Sequence, residues 1–64
     1  MMTELDKIKH ILKHFIEHTE EHAKEFEDLA EKASSHEGGQ ALSSAIRQAA
    51  KKLMEAIEIL KPLV

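Results

Sequence analysis

The chain has 64 residues, of which 42% are hydrophobic and 33% charged, with no cysteine and a formal net charge of -3. This length is that of one small domain, whose core alone rarely contributes more than about 3–5 kcal/mol of stability. The absence of cysteine excludes disulfides, thiolate zinc sites and thiol catalysis. The acidic balance argues against nucleic-acid binding, which needs a basic surface. No apolar run approaches the roughly 18 residues of a membrane span, and no signal peptide is visible, so we expect a cytoplasmic protein with no membrane partner.

A long first helix is predicted over about residues 3–37, because apolar and small residues recur in steps of three and four without an intervening glycine or proline. Thr3 is the predicted N-cap, and Asp6 is the N3 residue of an imperfect capping box. The pattern is a heptad seam that starts with Leu5 at position a. The predicted seam consists of Leu5, Ile8, Leu12, Phe15, Thr19, His22, Phe26, Leu29 and Ala33.

Two glycines interrupt the chain once, at Gly38-Gly39, and predict a turn in which Gly38 has the positive φ common after helices. A second helix is predicted over about residues 40–61, because Pro62 disfavours helical backbone at the residue before it. Its predicted seam consists of Leu42, Ile46, Ala49, Leu53, Ala56, Leu60 and Leu63.

The predicted fold is all-α: a single domain over residues 1–64 in which a short connection makes the two helices antiparallel neighbours. In the expected register Phe15 faces Leu60 and His22 faces Leu53. The acidic residues between 25 and 31 then lie near two bases, Arg47 and Lys51.

The first helix is longer than the second, so its first apolar residues have no partner in their own chain: Leu5, Ile8, Ile11 and Leu12. Two helices alone also cannot cover both of their apolar stripes. We therefore expect self-association, most simply a homodimer in which two hairpins form a four-helix bundle.

A histidine stripe is the most distinctive chemical feature of the first helix. Four histidines follow at intervals of four residues: His10, His14, His18 and His22. Residues four apart lie one turn above another, so neighbouring imidazoles can reach one ion. The stripe turns by about 40° per step, from solvent at His10 into the predicted seam at His22.

Two interpretations of His22 remain open. In the first, the stripe binds a divalent metal, with candidate ligands His18, His22, Glu21, Glu25 and His14. Imidazole and carboxylate ligands favour Zn²⁺, Ni²⁺, Co²⁺ or Fe²⁺ over Mg²⁺ or Ca²⁺. If two first helices packed antiparallel, both His18–His22 pairs would approach the two-fold axis. In the second, His22 is a core polar residue that fixes the register through a bond to Thr19 or to a partner chain.

The overlapping segments His14–His18 and His18–His22 both read H-x-x-E-H. This resembles the inverzincin metalloprotease motif, in which two histidines bind zinc and the glutamate activates water. The resemblance covers nine residues, and the second helix offers no third ligand. Over most of its length the chain is similar to small uncharacterised prokaryotic helical-hairpin proteins that carry a segment like H-[FW]-I-E-H-x-E-E-H-A-x-x-F, here residues 14–26. That resemblance implies a hairpin with a shared histidine segment and no established activity.

Three functions remain open: metal buffering, sensing or delivery by a homo-oligomeric bundle; a structural or adaptor module that binds itself or another helical protein; and an oligomer that responds to pH. An enzyme is not expected, because the sequence has no Gly-rich phosphate loop and no Ser-His-Asp constellation. A hydrolytic or redox role would require a bound metal that keeps an open coordination position.

Overall fold

A computed structural model describes residues 2–64 of the chain. Helix α1 spans Glu4–Ser34, helix α2 spans Gln40–Leu60, and a 3-10 turn over Lys61–Leu63 follows. The two helices pack against each other as a hairpin, and residues 2–64 contain no strand. The Cα atoms extend over 56 × 15 × 12 Å, so the hairpin is a flat layer two helices wide. The predicted all-α hairpin is confirmed. No helix in the described part of the chain is long and apolar enough to cross a membrane.

Helix α1 begins at a complete capping box. The Thr3 hydroxyl accepts a hydrogen bond from the Asp6 amide, and the Thr3 amide donates one to the Asp6 carboxylate, both at 3.1 Å. The side chain of Thr3 thereby satisfies one of the amide donors that a helix leaves free at its N-terminus. The bond from the Thr3 amide, followed by that with the Thr3 side chain, holds the pKa of Asp6 below its usual value of 3.8. The predicted N-cap is confirmed.

Helix α1 ends at Ser34, three residues before its predicted end. The hydroxyls of Ser34 and Ser35 donate to the carbonyls of Glu31 and Lys32, each at 2.7 Å. Such local bonds favour helix ends over helix interiors. The side-chain amide of Gln40 donates to the Ser34 carbonyl at 3.1 Å, which satisfies one acceptor of the last turn.

The connection between the helices runs over residues 35–39, so it is longer than the predicted two-glycine turn. Gly38 has the predicted positive φ, +79°, which residues with a Cβ rarely adopt. At Gly39 the constraint is space, because a Cβ there would overlap the carbonyl oxygen of Ala33. At the other end of α2, Pro62 lies within the 3-10 turn, one residue beyond Lys61.

Small residues dominate the seam between the helices. Buried residues recur every seven positions on each helix: Ile16, Ala23 and Ala30 on α1, and Ser43, Ala50 and Ile57 on α2. Half-buried residues flank them, namely Leu12, Thr19, Phe26 and Ala33 on α1 and Ile46, Leu53 and Leu60 on α2. Alanine and serine at the contact positions allow the two backbones to approach closely, since the distance between packed helices depends on the side chains between them.

The predicted seams are correct at one heptad position and wrong at the other. At the wrong position, which contains Phe15 on α1 and Ala49 on α2, the predicted residue is exposed. The next residue along the chain is buried instead, namely Ile16 and Ala50. Phe15 is 65% exposed and Leu29 is 50% exposed, and His22 is exposed as well. The predicted contacts of Phe15 with Leu60 and of His22 with Leu53 are therefore wrong. Large side chains at these positions would hold the helices apart, whereas the following residues on α1 include Ala23 and Ala30.

The same shift occurs on α2, where the predicted seam residues Leu42, Ala49, Ala56 and Leu63 are exposed. The predicted placement of the charges along the hairpin is confirmed at one ion pair, because Arg47 Nη1 lies 3.5 Å from Glu27 Oε2. The lengthwise alignment of the helices is thus close to the prediction, and the difference lies in which side of each helix faces the other.

The core of a single hairpin is thin. Its buried hydrophobic residues are three alanines and two isoleucines, Ile16 and Ile57. A buried isoleucine side chain contributes only about 1.5–3 kcal/mol, and a helix that lacks tertiary packing is marginal in water. As predicted, Leu5, Ile8 and Ile11 are more than half exposed. Leu12, also predicted to lack a partner, is half-buried.

Replacing Ala30 by leucine tests the close contact. Ala30 has 0% exposure, so Ala30→Leu overpacks the seam and is expected to lower the free energy of unfolding by about 1–3 kcal/mol. The measurement is urea denaturation at fixed protein concentration. Ala41 is exposed on α2, and Ala41→Leu is the matched control because alanine and leucine are both strong helix formers. Equal stability of the two variants would contradict the packing described here.

The capping box predicts a specific titration of Asp6. Since its pKa is depressed in the folded chain, the stabilisation by the cap is fully present above the ordinary value of 3.8 and is lost as the pH falls through the lower folded-state pKa. NMR titration of the Asp6 carboxyl should give a lower pKa in native buffer than in urea, where the chain is unfolded. Equal values in the two states would show that the cap does not form.

Candidate functional site

One broad side of the hairpin carries a group of exposed large apolar residues, among them Phe15, Leu29 and Leu42. On α1, Phe15, His22 and Leu29 each precede a buried residue, and with about 100° per residue they lie about 80–120° to one side of the line through Ala23 that faces α2. On α2, Leu42, Ala49 and Ala56 likewise each precede a buried residue, and they lie at the same angles from Ala50.

The two sets of residues lie on the same side of the layer. An approximate two-fold axis normal to the layer relates the helices and superimposes the buried positions of α1, residues 16, 23 and 30, on those of α2, residues 43, 50 and 57. A rotation about such an axis exchanges the two helices without turning the layer over, so equivalent residues of α1 and α2 lie on the same broad side. We call this side the apolar face; it consists of Ile8, Ile11, Phe15, Phe26, Leu29, Leu42, Ile46, Ala49, Leu53 and Ala56.

The opposite side of the layer, which we call the charged face, carries ion pairs between the helices. Arg47 lies 3.5 Å from Glu27, and Lys61 Nζ lies 3.1 Å from Glu20 Oε2. A shallow open groove on this face is lined by Glu20, Ala23, Lys24, Glu27, Ala50, Lys51 and Met54. Exposed ion pairs contribute little to stability, about 0–1 kcal/mol each. They keep this face hydrated, so the two sides of the layer differ sharply in polarity.

His18 and His22 lie along the α1 edge of the apolar face, and both are exposed. The prediction that His22 is buried in the seam of the hairpin is wrong, since 62% of its side chain is accessible. Its predicted pairing with Thr19 is also wrong, because the Thr19 hydroxyl donates to the Phe15 carbonyl at 2.7 Å. Within one chain His22 therefore fixes no register.

Glu25 holds the ring of His22. The Nδ1 atom of His22 lies 3.1 Å from Glu25 Oε2, one turn further along the helix. When Nδ1 donates its hydrogen to the carboxylate, the lone pair of Nε2 is available to bind a metal. Glu25 was predicted as a metal ligand, and in the structure its carboxylate is the hydrogen-bond partner of His22.

The other predicted ligands lie away from His22. His14 Nδ1 is 3.9 Å from Glu17 Oε2, and the rings of His14 and His10 meet edge to face with centroids 4.9 Å apart. His14 and Glu21 are exposed and lie about 80° and 100° around the helix from His22. Within residues 2–64 of one chain no three histidine or carboxylate side chains come together as a metal site. One chain thus supplies an i, i+4 pair of imidazoles, His18 and His22, with one oriented ring.

A second pattern in the sequence, distinct from the apolar periodicity, indicates the apolar face. Small residues repeat at seven-residue spacing at Ala23 and Ala30 on α1 and at Ser43 and Ala50 on α2. Matched small residues on two neighbouring helices indicate close contact. That contact would have assigned the larger neighbours, Phe15 among them, to another surface.

Comparison with known proteins gives one match. The profile of a family described as Domain of unknown function (DUF8180) matches residues 8–63, which include α2, all but the first four residues of α1, and the histidine pair. No curated protein and no solved structure matches the chain.

Proposed function

The chain belongs to the DUF8180 family, and we propose that it is a self-associating helical module whose apolar face packs against the same face of a second copy to form a four-helix bundle. The observation that carries this proposal is the combination of a thin core with a continuous exposed apolar face. Phe15 on this face is 65% exposed, whereas the buried hydrophobic residues of the hairpin are three alanines and two isoleucines. Monomeric proteins rarely expose contiguous apolar patches larger than a few hundred Å².

The broad side of the hairpin offers room for an interface of ordinary size. The layer measures 56 × 15 Å in Cα positions, and each partner in a standard protein–protein interface buries about 800 Å². Burial of this face in a dimer would also give Phe26, Ile46 and Leu53, which are half-buried in one hairpin, a complete apolar environment. The charged face, with its ion pairs, would remain in water.

The part of α1 that extends beyond α2 favours one orientation of the copies. Ile8 and Ile11 lie beyond or beside the end of α2 and are more than half exposed. A second hairpin rotated about an axis perpendicular to the helices would place its own α1 antiparallel beside them. A rotation about an axis along the helices would leave Ile8 uncovered, because α2 of the copy ends at the same level. The first arrangement buries more apolar surface, and we propose it.

The lengthwise pairing in this arrangement is self-consistent. With the axis near residue 20 of α1, Ile11 lies level with Leu29 of the second copy, and Phe15 lies within one residue, about 1.5 Å, of the level of Phe26. Because residue 20 of α1 lies level with Leu53 of α2 in the hairpin, Leu53 then lies level with Leu53 of the second copy. Apolar residues thus meet apolar residues on both pairs of helices, which supports a second copy of the chain as the occupant rather than an unrelated partner.

A glutamate at Phe15 tests the proposal. The wild-type chain is expected to sediment at twice the 7.3 kDa mass of one chain. A buried interface aromatic contributes about 2 kcal/mol or more, and a symmetric dimer contains it twice, so Phe15→Glu should raise the dissociation constant about 1,000-fold. Analytical ultracentrifugation over a dilution series measures this constant.

Ile59→Glu is the matched control. Ile59 is 71% exposed and points away from both α1 and the apolar face, about 180° from Ala50. The control should leave the dissociation constant within a few-fold of wild type. A wild-type chain that is monomeric at high concentration would refute the proposal. A dimer that Phe15→Glu and Ile59→Glu weaken equally would refute it as well. A monomer that binds a different helical protein through Phe15 would show that the face serves a partner of another kind.

A further inference from the structure

We infer that His18 and His22 of two copies together form a binding site for a divalent transition metal, midway along the contact between the two α1 helices. This inference rests on the proposed dimer and names a ligand for it. The site is incomplete in one chain, since residues 2–64 bring no three histidine or carboxylate groups together. The second copy supplies the missing ligands.

The position of the pair along α1 carries the inference. The axis that pairs Ile11 with Leu29 of the second copy crosses α1 near residue 20, midway between the two histidines. His18 then lies level with His22 of the second copy, and the reverse is also true. Each pair spans one helical turn, about 6 Å, and packed helices lie about 8–10 Å apart. Four imidazoles thereby converge on one small volume that the apolar contacts of the rest of the face do not occupy.

The orientation of His22 is already that of a metal ligand. Its Nδ1 lies 3.1 Å from Glu25 Oε2, the carboxylate–histidine arrangement that fixes the ring and makes Nε2 a stronger donor to a metal. If no metal were bound, dimer formation would bury the Nε2 atom of His22 in the apolar face. That atom would then need another hydrogen-bond partner, because an unsatisfied buried polar atom is costly. A metal satisfies this atom on both copies.

The donor set determines the class of ion. The proposed site offers up to four neutral imidazoles and no carboxylate that binds the ion directly. Such a site suits Zn²⁺, Co²⁺ or Ni²⁺ and does not suit Mg²⁺ or Ca²⁺, which prefer oxygen ligands. Four nitrogen ligands at about 2.0–2.1 Å give Zn²⁺ its usual tetrahedral geometry. His14 and Glu21 lie too far around α1 from the apolar face to take part, so the site consists of two histidines from each chain.

The experiment uses Zn²⁺ and Co²⁺ with the full chain. Sedimentation in EDTA first measures the metal-free dimer. Calorimetric titration with Zn²⁺ should then give one ion per two chains, and Co²⁺ should give the intense visible absorption of tetrahedral coordination. Because the ion binds the dimer, a free Zn²⁺ concentration 100 times its dissociation constant should tighten the dimer about 100-fold. His22→Ala should weaken Zn²⁺ binding at least 100-fold, and Glu25→Gln about 10–100-fold.

His10→Ala is the matched control, because His10 is an exposed histidine of the same helix, about 120° from His22 and off the apolar face. It should leave Zn²⁺ binding unchanged. A dimer in EDTA that shows no saturable Zn²⁺ binding would overturn this inference and leave the proposed dimer standing. Binding of one ion per chain, or equal weakening by His10→Ala and His22→Ala, would also overturn it. A chain that is monomeric with and without Zn²⁺ would overturn both proposals.

Discussion

The close contact between the two helices determines the rest of the structure. Ala23 and Ala30 on α1 are buried in the seam, as are Ser43 and Ala50 on α2, and small side chains allow two helices to pack closely. Once these residues face inward, the geometry of the helix turns Phe15, His22 and Leu29 to one side. The same rotation on α2 turns Leu42 to that side. An apolar face and a charged face follow from one packing choice.

This choice has an energetic consequence. A seam rich in alanine buries little apolar surface, so the hairpin gains little stability from its own core. If two copies associate as proposed, folding and association would be coupled, and stability would depend on protein concentration. The proposed metal site would add a second dependence, because it would exist only where two copies meet. Imidazoles that are hydrated in one chain would become buried ligands in two.

The local features of the fold were predictable because they depend on neighbouring residues. The capping box at Thr3 and Asp6, the positive φ of Gly38 and the existence of two antiparallel helices all follow from local chemistry. The end of α1 was not predicted, because the hydroxyls of Ser34 and Ser35 take carbonyls of the last turn. The histidine pair was recognised by its spacing. Its surroundings were not, since they depend on which residues of α2 lie opposite.

The sequence by itself determined two helices, their order, their lengthwise alignment and a stripe of histidines, since each follows from periodicity, breakers or charge along one chain. Only the tertiary structure decided that the alanine side of each helix faces inward and that His22 lies on the open apolar face beside Glu25. The physical reason is that apolar periodicity identifies residues that avoid water without identifying what covers them. Both the alanine stripe and the Phe15 stripe satisfied that pattern, and the distance at which two backbones can pack selected between them.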